Sequence, residues 1–349
     1  MIQAKIITDS ISPNNHRLTT LEVIMPRYIL AEFNTHRILS KNSASSRAIP
    51  FNKMIKEIEE RPFIPYAWQK DHSGMQGNEY ITNDKEISYL ENSWLQGRDR
   101  AISTTHELNG QYLTKQLCNR LLEPFTYHKV LVSGTEWENF FNLRCSQYTL
   151  DNIVFFKSRK ELKEFYKGRE QELIKHFNLR PDSIFADNDD ILAWLKCNVG
   201  QADIHMMFLA EAIYDVINES TPKELKEGEW HIPYGDDFDE EEIEKATLKI
   251  FKEDSFEVVE TSKRYISIAR CARLSYQTLG DNPVINYKKD LELYEVLSKN
   301  GHASPMEHVA KVMSSSEYSS YYRQENGNKE FGWCRNFKGF RQMREIIKL

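Results

Sequence analysis

Between residues 33 and 50 the chain reads FNTHRILSKNSASSRAIP, a run of hydroxyl and amide side chains around one histidine, His36, and two arginines, Arg37 and Arg47. Serine and asparagine compete with the backbone for hydrogen bonds, so an unbroken helix is not expected here. A loop of guanidinium, amide and hydroxyl donors can coordinate phosphate or carboxylate. A serine-rich surface turn has the same composition, and the residues alone leave both readings open. A second stretch, SGTEWENFFNLRC at 133–145, pairs Thr135 with Glu138 as a capping box, which predicts a helix from residue 136. Trp137, Phe140, Phe141 and Arg144 then share one helical face. A guanidinium cannot shed its charge, so a buried Arg144 needs a partner: a ligand, an internal carboxylate, or solvent reached by its long stem.

A third stretch, GHASPMEHVA at 301–310, places Ser304 as a helix cap, Pro305 in the first turn and Glu307 at the third position. A helix start offers free N–H groups to an anion; the plainer reading is a cap with two incidental histidines. His302 and His308 lack a nearby cysteine or third histidine, so no metal site is expected. The chain contains no G-x-G-x-x-G, no G-x-x-x-x-G-K-[ST] and no G-x-S-x-G, so a bound nucleotide must be held by side chains and helix ends.

The elements that must position these groups are legible in outline. Residues 2–8 and 19–33 have strand-like density of β-branched and aromatic residues. Helical patterns cover 52–60, 85–118 with breaks at Gly97 and Gly110, 201–217 with Met206, Leu209, Ile213, Val216 and Ile217 on one face, and 288–299 stopped by Asn300-Gly301. The acidic run at 234–254 reads as a solvated linker or surface helix and marks a candidate boundary. Of the 349 residues 40% are hydrophobic and 28% charged, a globular composition, and the net charge of −6 argues against wrapping nucleic acid. Five scattered cysteines without a C-x-x-C pair read as reduced thiols. With no signal-peptide core and no run of 18 apolar residues, the expectation is a cytoplasmic protein without a membrane span.

Together these stretches resemble the flavin-dependent thymidylate synthase family. Its signature, R-H-R-x-x-S-x-N-E-x-S-x-R-Y, appears here as Thr35-His36-Arg37, Ser40, Asn42-Ser43, Ser45 and Arg47-Ala48, six of nine fixed positions matching. NRLLEPFTYHKVLVSGTEWENFFNLR (119–144) resembles the family's R-x-x-L-P and N-F-L-x-L-R segment, HASPMEH its H-x-S-P-F-E-H, and ARLSY (272–276) its A-A-R-x-C-Y. The order departs from the family: HASPMEH follows the His36 motif instead of preceding it, as in an enlarged, rearranged phage-type member. Thr35, Ser43 and Ala48 replace Arg, Glu and Tyr, and GQADI (200–204), the counterpart of A-Q-W-E-I, is displaced by an insertion.

The resemblance implies an α+β fold, a mixed sheet packed with helices. It implies a synthase-like domain at 1–233 with a helical insertion at about 146–199, an acidic linker at 234–261 and a C-terminal unit at 262–349. It further implies FAD-dependent transfer of a one-carbon unit from methylenetetrahydrofolate to C5 of dUMP, with NADPH as reductant, in a homo-oligomer. Thr35, His36, Arg37, Asn42, Asn139, His302 and Ser304 would bind FAD. Glu32, Ser45, Arg47, Arg120 and Arg144 would bind dUMP, Glu32 standing where the family has a glutamine. Arg144 and Ser45 are the catalytic candidates: Arg144 would stabilise charge developing on the base. Ser45 would position the pyrimidine, since no base is spaced to activate its hydroxyl. A hydroxymethylase giving 5-hydroxymethyl-dUMP and a non-catalytic nucleotide-binding protein of the same fold remain alternatives.

Overall fold

A computed structural model describes residues 1–73, 77, 79–177, 191–276 and 285–347. Strands β1 (Gln3–Ile11), β2 (Arg17–Pro26), β3 (Ser40–Ser43), β4 (Tyr127–Gly134) and β5 (Lys223–Glu224) form one sheet in the order β3-β4-β2-β1-β5. Three pairings are antiparallel and β1 runs parallel to β5, so the sheet is mixed and the fold is α+β. A smaller antiparallel sheet joins β6 (Trp230–His231) to β7 (Ala310–Val312) and β7 to the strand Phe340–Gln342.

Alternation along β2 and β4 sorts their side chains onto two faces. Leu21, Val23, Met25, Val130 and Val132 pack with Met206, Leu209, Ala210 and Ile213 of the helix Ile204–Glu219 and with Trp137, Phe140 and Phe141. On the other face Leu131 meets Cys271 and Leu274, and Thr20 and Ser133 bond buried histidines. That face is covered by β6, the helix Phe256–Arg273 and the segment 304–312.

Two expected elements take different forms, and a third is decided between its two readings. Residues 27–33 are a short 3-10 turn, Arg27–Ile29, and one helical turn, Leu30–Phe33, not strand. Arg27 N donates to Thr126 O at 3.0 Å as β2 ends, and Ile29 and Phe33, four apart, both bury. The helix expected to break at Gly97 runs unbroken over Asp84–Gly110, capped by Asn83. The acidic run contains the helix Glu240–Phe251, capped by Asp239, whose Ile243 and Ala246 pack with Val259, Ile266 and Leu291: a surface helix with one buried face.

Helices also occupy the segment 146–199: Arg159–Phe165, Glu170–Phe177 and Ile191–Leu195 surround a small core containing Tyr148, Phe156, Leu162 and Trp194. Residues 178–190 of that segment lie outside the described residues. The helix Tyr287–Lys299 stops at Asn300, with Gly301 in the left-handed region (φ 66°), as its sequence predicted. All five cysteines are buried and unpaired. Among the described residues no helix is long and apolar enough to cross a membrane.

Candidate active site

The helix carrying Arg144 starts later than its capping box suggested. It runs Glu138–Arg144 with Trp137 at its N-cap and no side-chain cap. Trp137 Nε1 donates to Gly134 O at 3.0 Å, and Thr135 Oγ1 instead accepts from Lys338 N at 3.0 Å. Glu138 pairs with Lys157 rather than reaching back to the cap. Trp137, Phe140 and Phe141 are buried in the main core, so the face predicted for them is the one the fold uses. Arg144, last on that face, is delivered to the edge of the core.

There it meets two residues from the chain after β2. Arg144 Nε donates to His36 Nε2 at 2.9 Å, and Nη1 forms an ion pair with Glu32. His36 is buried, with its ring edge-on to Phe140 at 4.9 Å, while Lys41 Nζ donates to the His36 carbonyl at 2.5 Å. Burial, then the charges of Arg144 and Lys41, push the His36 pKa down to about 4, so the ring is neutral near pH 7. Since Nε2 accepts, the single ring proton sits on Nδ1. Burial likewise lowers Lys41 to about 8. Of the partners considered for Arg144, an internal carboxylate is present; Nη2 has no partner among the described residues.

Glu32 and Arg144 line a cleft of about 740 Å³ with Asn142, Gln147, Gln201 and Asp203. That volume suits a small polar molecule, and the wall offers amides and charges of both signs.

A second cluster joins three motifs distant in sequence. Asn42 Nδ2 donates to Cys271 O at 2.6 Å, and its Oδ1 accepts from Ser304 Oγ at 3.1 Å and Ser275 Oγ at 3.5 Å. Ser45 N donates to Ser275 O at 3.0 Å. The ARLSY and HASPMEH segments therefore lie against β3 and the residues that follow it. HASPMEH is not the capped helix its sequence suggested: Ser304–Glu307 is a single 3-10 turn with Ala303 at its N-cap. Ser304 directs its hydroxyl to Asn42, and Glu307 pairs with Arg344 instead of closing a capping box.

The remaining candidates are dispersed. Arg37, Arg47, Arg120, Thr35, Asn139 and His302 are all exposed. Arg37, Arg47 and Arg120 form no ion pair among the described residues. Asn119 Nδ2 donates to Ser46 O at 2.7 Å and Ile49 O at 3.0 Å, so Arg47 and Arg120 each adjoin one end of a buried strap. Thr35 Oγ1 donates to Glu32 O at 2.7 Å. His36, between the exposed Thr35 and Arg37 with which the resemblance grouped it, is itself buried and bonded to Arg144. Among the described residues no three His, Cys, Asp or Glu side chains could hold a metal ion.

Sequence reasoning missed Tyr28, His205 and Asp203. Tyr28 Oη donates to Asp203 at 3.1 and 3.2 Å and contacts His205 Nδ1, and Asp203 also lines the cleft. The only signal was the position of Asp203 within GQADI, directly before an apolar helix.

No family model matches this chain, and no curated protein matches it. Among the solved structures that overlap it in part are two of the UMP/dUMP methylase PolB from Streptomyces cacaoi. The one bound with 5-Br UMP is 14% identical over 50% of this chain and 89% of that chain, with a TM-score of 0.35. The one bound with 5-Br dUMP is 12% identical over 50% of this chain and 91% of that chain, with a TM-score of 0.36. Overlap at these scores adds nothing to what the chain's own contacts show.

Proposed function

We propose that this chain is an enzyme that binds deoxyuridine monophosphate, dUMP, in the cleft beside Arg144 and transfers a one-carbon unit to C5 of its base. The observation that carries this reading is the setting of Arg144. A neutral imidazole fixes one guanidinium nitrogen, Glu32 holds another, and the third has no hydrogen-bond partner among the described residues, at the end of an aromatic core. A cation held in that way is suited to a carbonyl oxygen that gains charge during reaction. By the resemblance Ser45 would position the base, and Arg47 and Arg120, exposed and without an ion pair among the described residues, would take its phosphate.

The family resemblance adds FAD. Arg37, Asn139, His302 and Thr35, exposed guanidinium, amide, imidazole and hydroxyl groups, are of the chemistry that binds a diphosphate, and by the resemblance they would hold it. Asn42 and Ser304, bonded to each other, would support that surface. FAD, when bound, supplies hydride to the transferred carbon, with NADPH as reductant and methylenetetrahydrofolate as carbon donor. The same resemblance suggests a homo-oligomer.

One observation favours a second reading, nucleotide binding without flavin chemistry: His36, which the resemblance assigns to FAD, is buried and bonded to Arg144. Reconstitution with FAD and titration with dUMP, followed by the flavin absorption band, separates the two. A band that shifts on adding dUMP supports the enzyme; dUMP binding without FAD retention supports the binding protein; no dUMP binding overturns both. Product mass then distinguishes methyl from hydroxymethyl transfer. Arg144→Ala should lower turnover by about 10²–10³-fold with the fold retained.

A further inference from the structure

The cleft contains a second carboxylate. Asp203 is the N-cap of the helix Ile204–Glu219, and its Oδ1 accepts from His205 N at 2.8 Å, from Met206 N at 3.3 Å and from Tyr28 Oη at 3.1 Å. Oδ2 has one donor, Tyr28 Oη at 3.2 Å. Capping the helix needs only Oδ1, which leaves Oδ2 with accepting capacity. Glu32, the other carboxylate of the cleft, is engaged by Arg144.

The neighbours of Asp203 have a fixed hydrogen-bond direction. His205 Nε2 accepts from Tyr66 N at 3.0 Å, so the neutral ring carries its proton on Nδ1. Nδ1 faces Tyr28 Oη and lies 3.3 Å from Asp203 Oδ1. The tyrosine hydroxyl thus receives from His205 and donates to Asp203. Burial, and then the Asp203 charge, keep the Tyr28 phenol protonated far above its usual range. A cap requires none of this; holding a carboxylate ionised and aimed does.

We infer that Asp203 takes the C5 proton of the pyrimidine during one-carbon transfer, with Tyr28 and His205 as its positioning residues; this rests on the uridylate-modifying reading above. The C5=C6 electron pair forms a carbon–carbon bond between C5 and the methylene carried by the folate, while one carbon–nitrogen bond of that methylene breaks and its electron pair passes to the folate nitrogen. The C5–H bond breaks, its electron pair returns to the ring, and the proton passes to Asp203 Oδ2 and then to solvent. Arg144, in the same cleft, meets the charge on the base while Asp203 receives the proton.

The test is Asp203→Asn in the holoenzyme reconstituted with FAD, NADPH and methylenetetrahydrofolate. Asparagine keeps an Oδ1 acceptor and caps helices as well as aspartate does, so the fold is retained. Release of tritium from dUMP labelled at C5 should fall by about 10²–10⁴-fold, while dUMP affinity measured by calorimetry stays unchanged. Tyr28→Phe should move the acid limb of the rate–pH profile upward, because the carboxylate loses a donor to its charged form. Wild-type tritium release by Asp203→Asn would reduce Asp203 to a helix cap. A loss of dUMP affinity matching the loss of rate would make it a binding residue, and an unmoved profile in Tyr28→Phe would remove the positioning role. Wild-type protein that binds no dUMP or releases no tritium would sink the parent reading, and this inference with it.

Discussion

Along β2 and β4, one set of alternate positions buries Leu21, Val23, Met25, Val130 and Val132 against helices, while the other buries the hydroxyls of Thr20 and Ser133. The second set lies within a chain of hydrogen bonds. His231 Nδ1 meets Ser10 Oγ at 2.9 Å and His231 Nε2 meets Thr20 Oγ1 at 2.8 Å. Thr20 Oγ1 meets Ser133 Oγ at 2.6 Å, and Ser133 Oγ meets His308 Nδ1 at 2.8 Å. Among the described residues, His308 Nε2 is buried without a partner. Non-directional packing on the apolar face can relax around a change; the polar face requires compatible tautomers at both histidines and a partner for each hydroxyl. The apolar face delivers Arg144 to its cleft, and the polar face fastens the C-terminal segment to the sheet.

The largest effect should come from the apolar face. Phe140→Ala removes a ring that packs on Phe33, Trp137, Phe141 and His36, and should cost about 4 kcal/mol in urea unfolding. It also removes the edge-on support of His36, so dUMP affinity should fall further than in a core variant remote from Arg144. A cost under about 1 kcal/mol would show that this helix face collapses readily and does not hold the site.

On the polar face, Thr20→Val keeps the shape but leaves His231 Nε2 and Ser133 Oγ each short of a partner. The expected cost is about 2 kcal/mol. A neutral result would mean that the chain has a substitute partner at Thr20. The same face should make the protein sensitive to acid. Burial holds His231 and His308 at about 3, opposed at His231 by Asp9 and reinforced at His308 by His231. The native pKa values lie below the unfolded value of about 6.5, so the unfolded chain binds protons that the native fold refuses. Stability is then intact above that unfolded value and is lost as pH falls from it towards about 3, by roughly 2 kcal/mol per histidine at pH 5. Urea midpoints between pH 7 and 5 check this, and His308→Phe should flatten the slope.

The contrast also explains what the sequence disclosed. Periodicity revealed the apolar face because Trp137, Phe140 and Phe141, like Met206, Leu209 and Ile213, repeat at helical spacing and the core uses that repeat. Gly301 marked a helix end because few residues adopt its backbone conformation. Tertiary partners were invisible. Thr135 and Ser304 read as caps from local spacing, yet Lys338 and Asn42, distant in sequence, take their side chains. In the site, Arg144 was found by its place on an aromatic face, but its bonds to Glu32 and His36 were not. The Tyr28–Asp203–His205 group has no sequence spacing to betray it, since Tyr28 comes from another part of the chain.

The smallest effect should come from the turn that leads into the polar face. Gly301 has φ 66°, and a Cβ placed there would meet nothing within 4 Å, so Gly301→Ala changes backbone preference without adding a clash. The cost should be about 1 kcal/mol. Gly168 is a matched control: it has φ 79° and equally open surroundings, but lies between the helices Arg159–Phe165 and Glu170–Phe177. If the hydrogen-bond chain alone places His308, both variants should lose similar stability and keep the wild-type slope of stability between pH 7 and 5. A flattened slope in Gly301→Ala alone would show that the turn, and not the chain, holds His308 against Ser133. The polar face would then depend on local backbone conformation as much as on its buried hydroxyls.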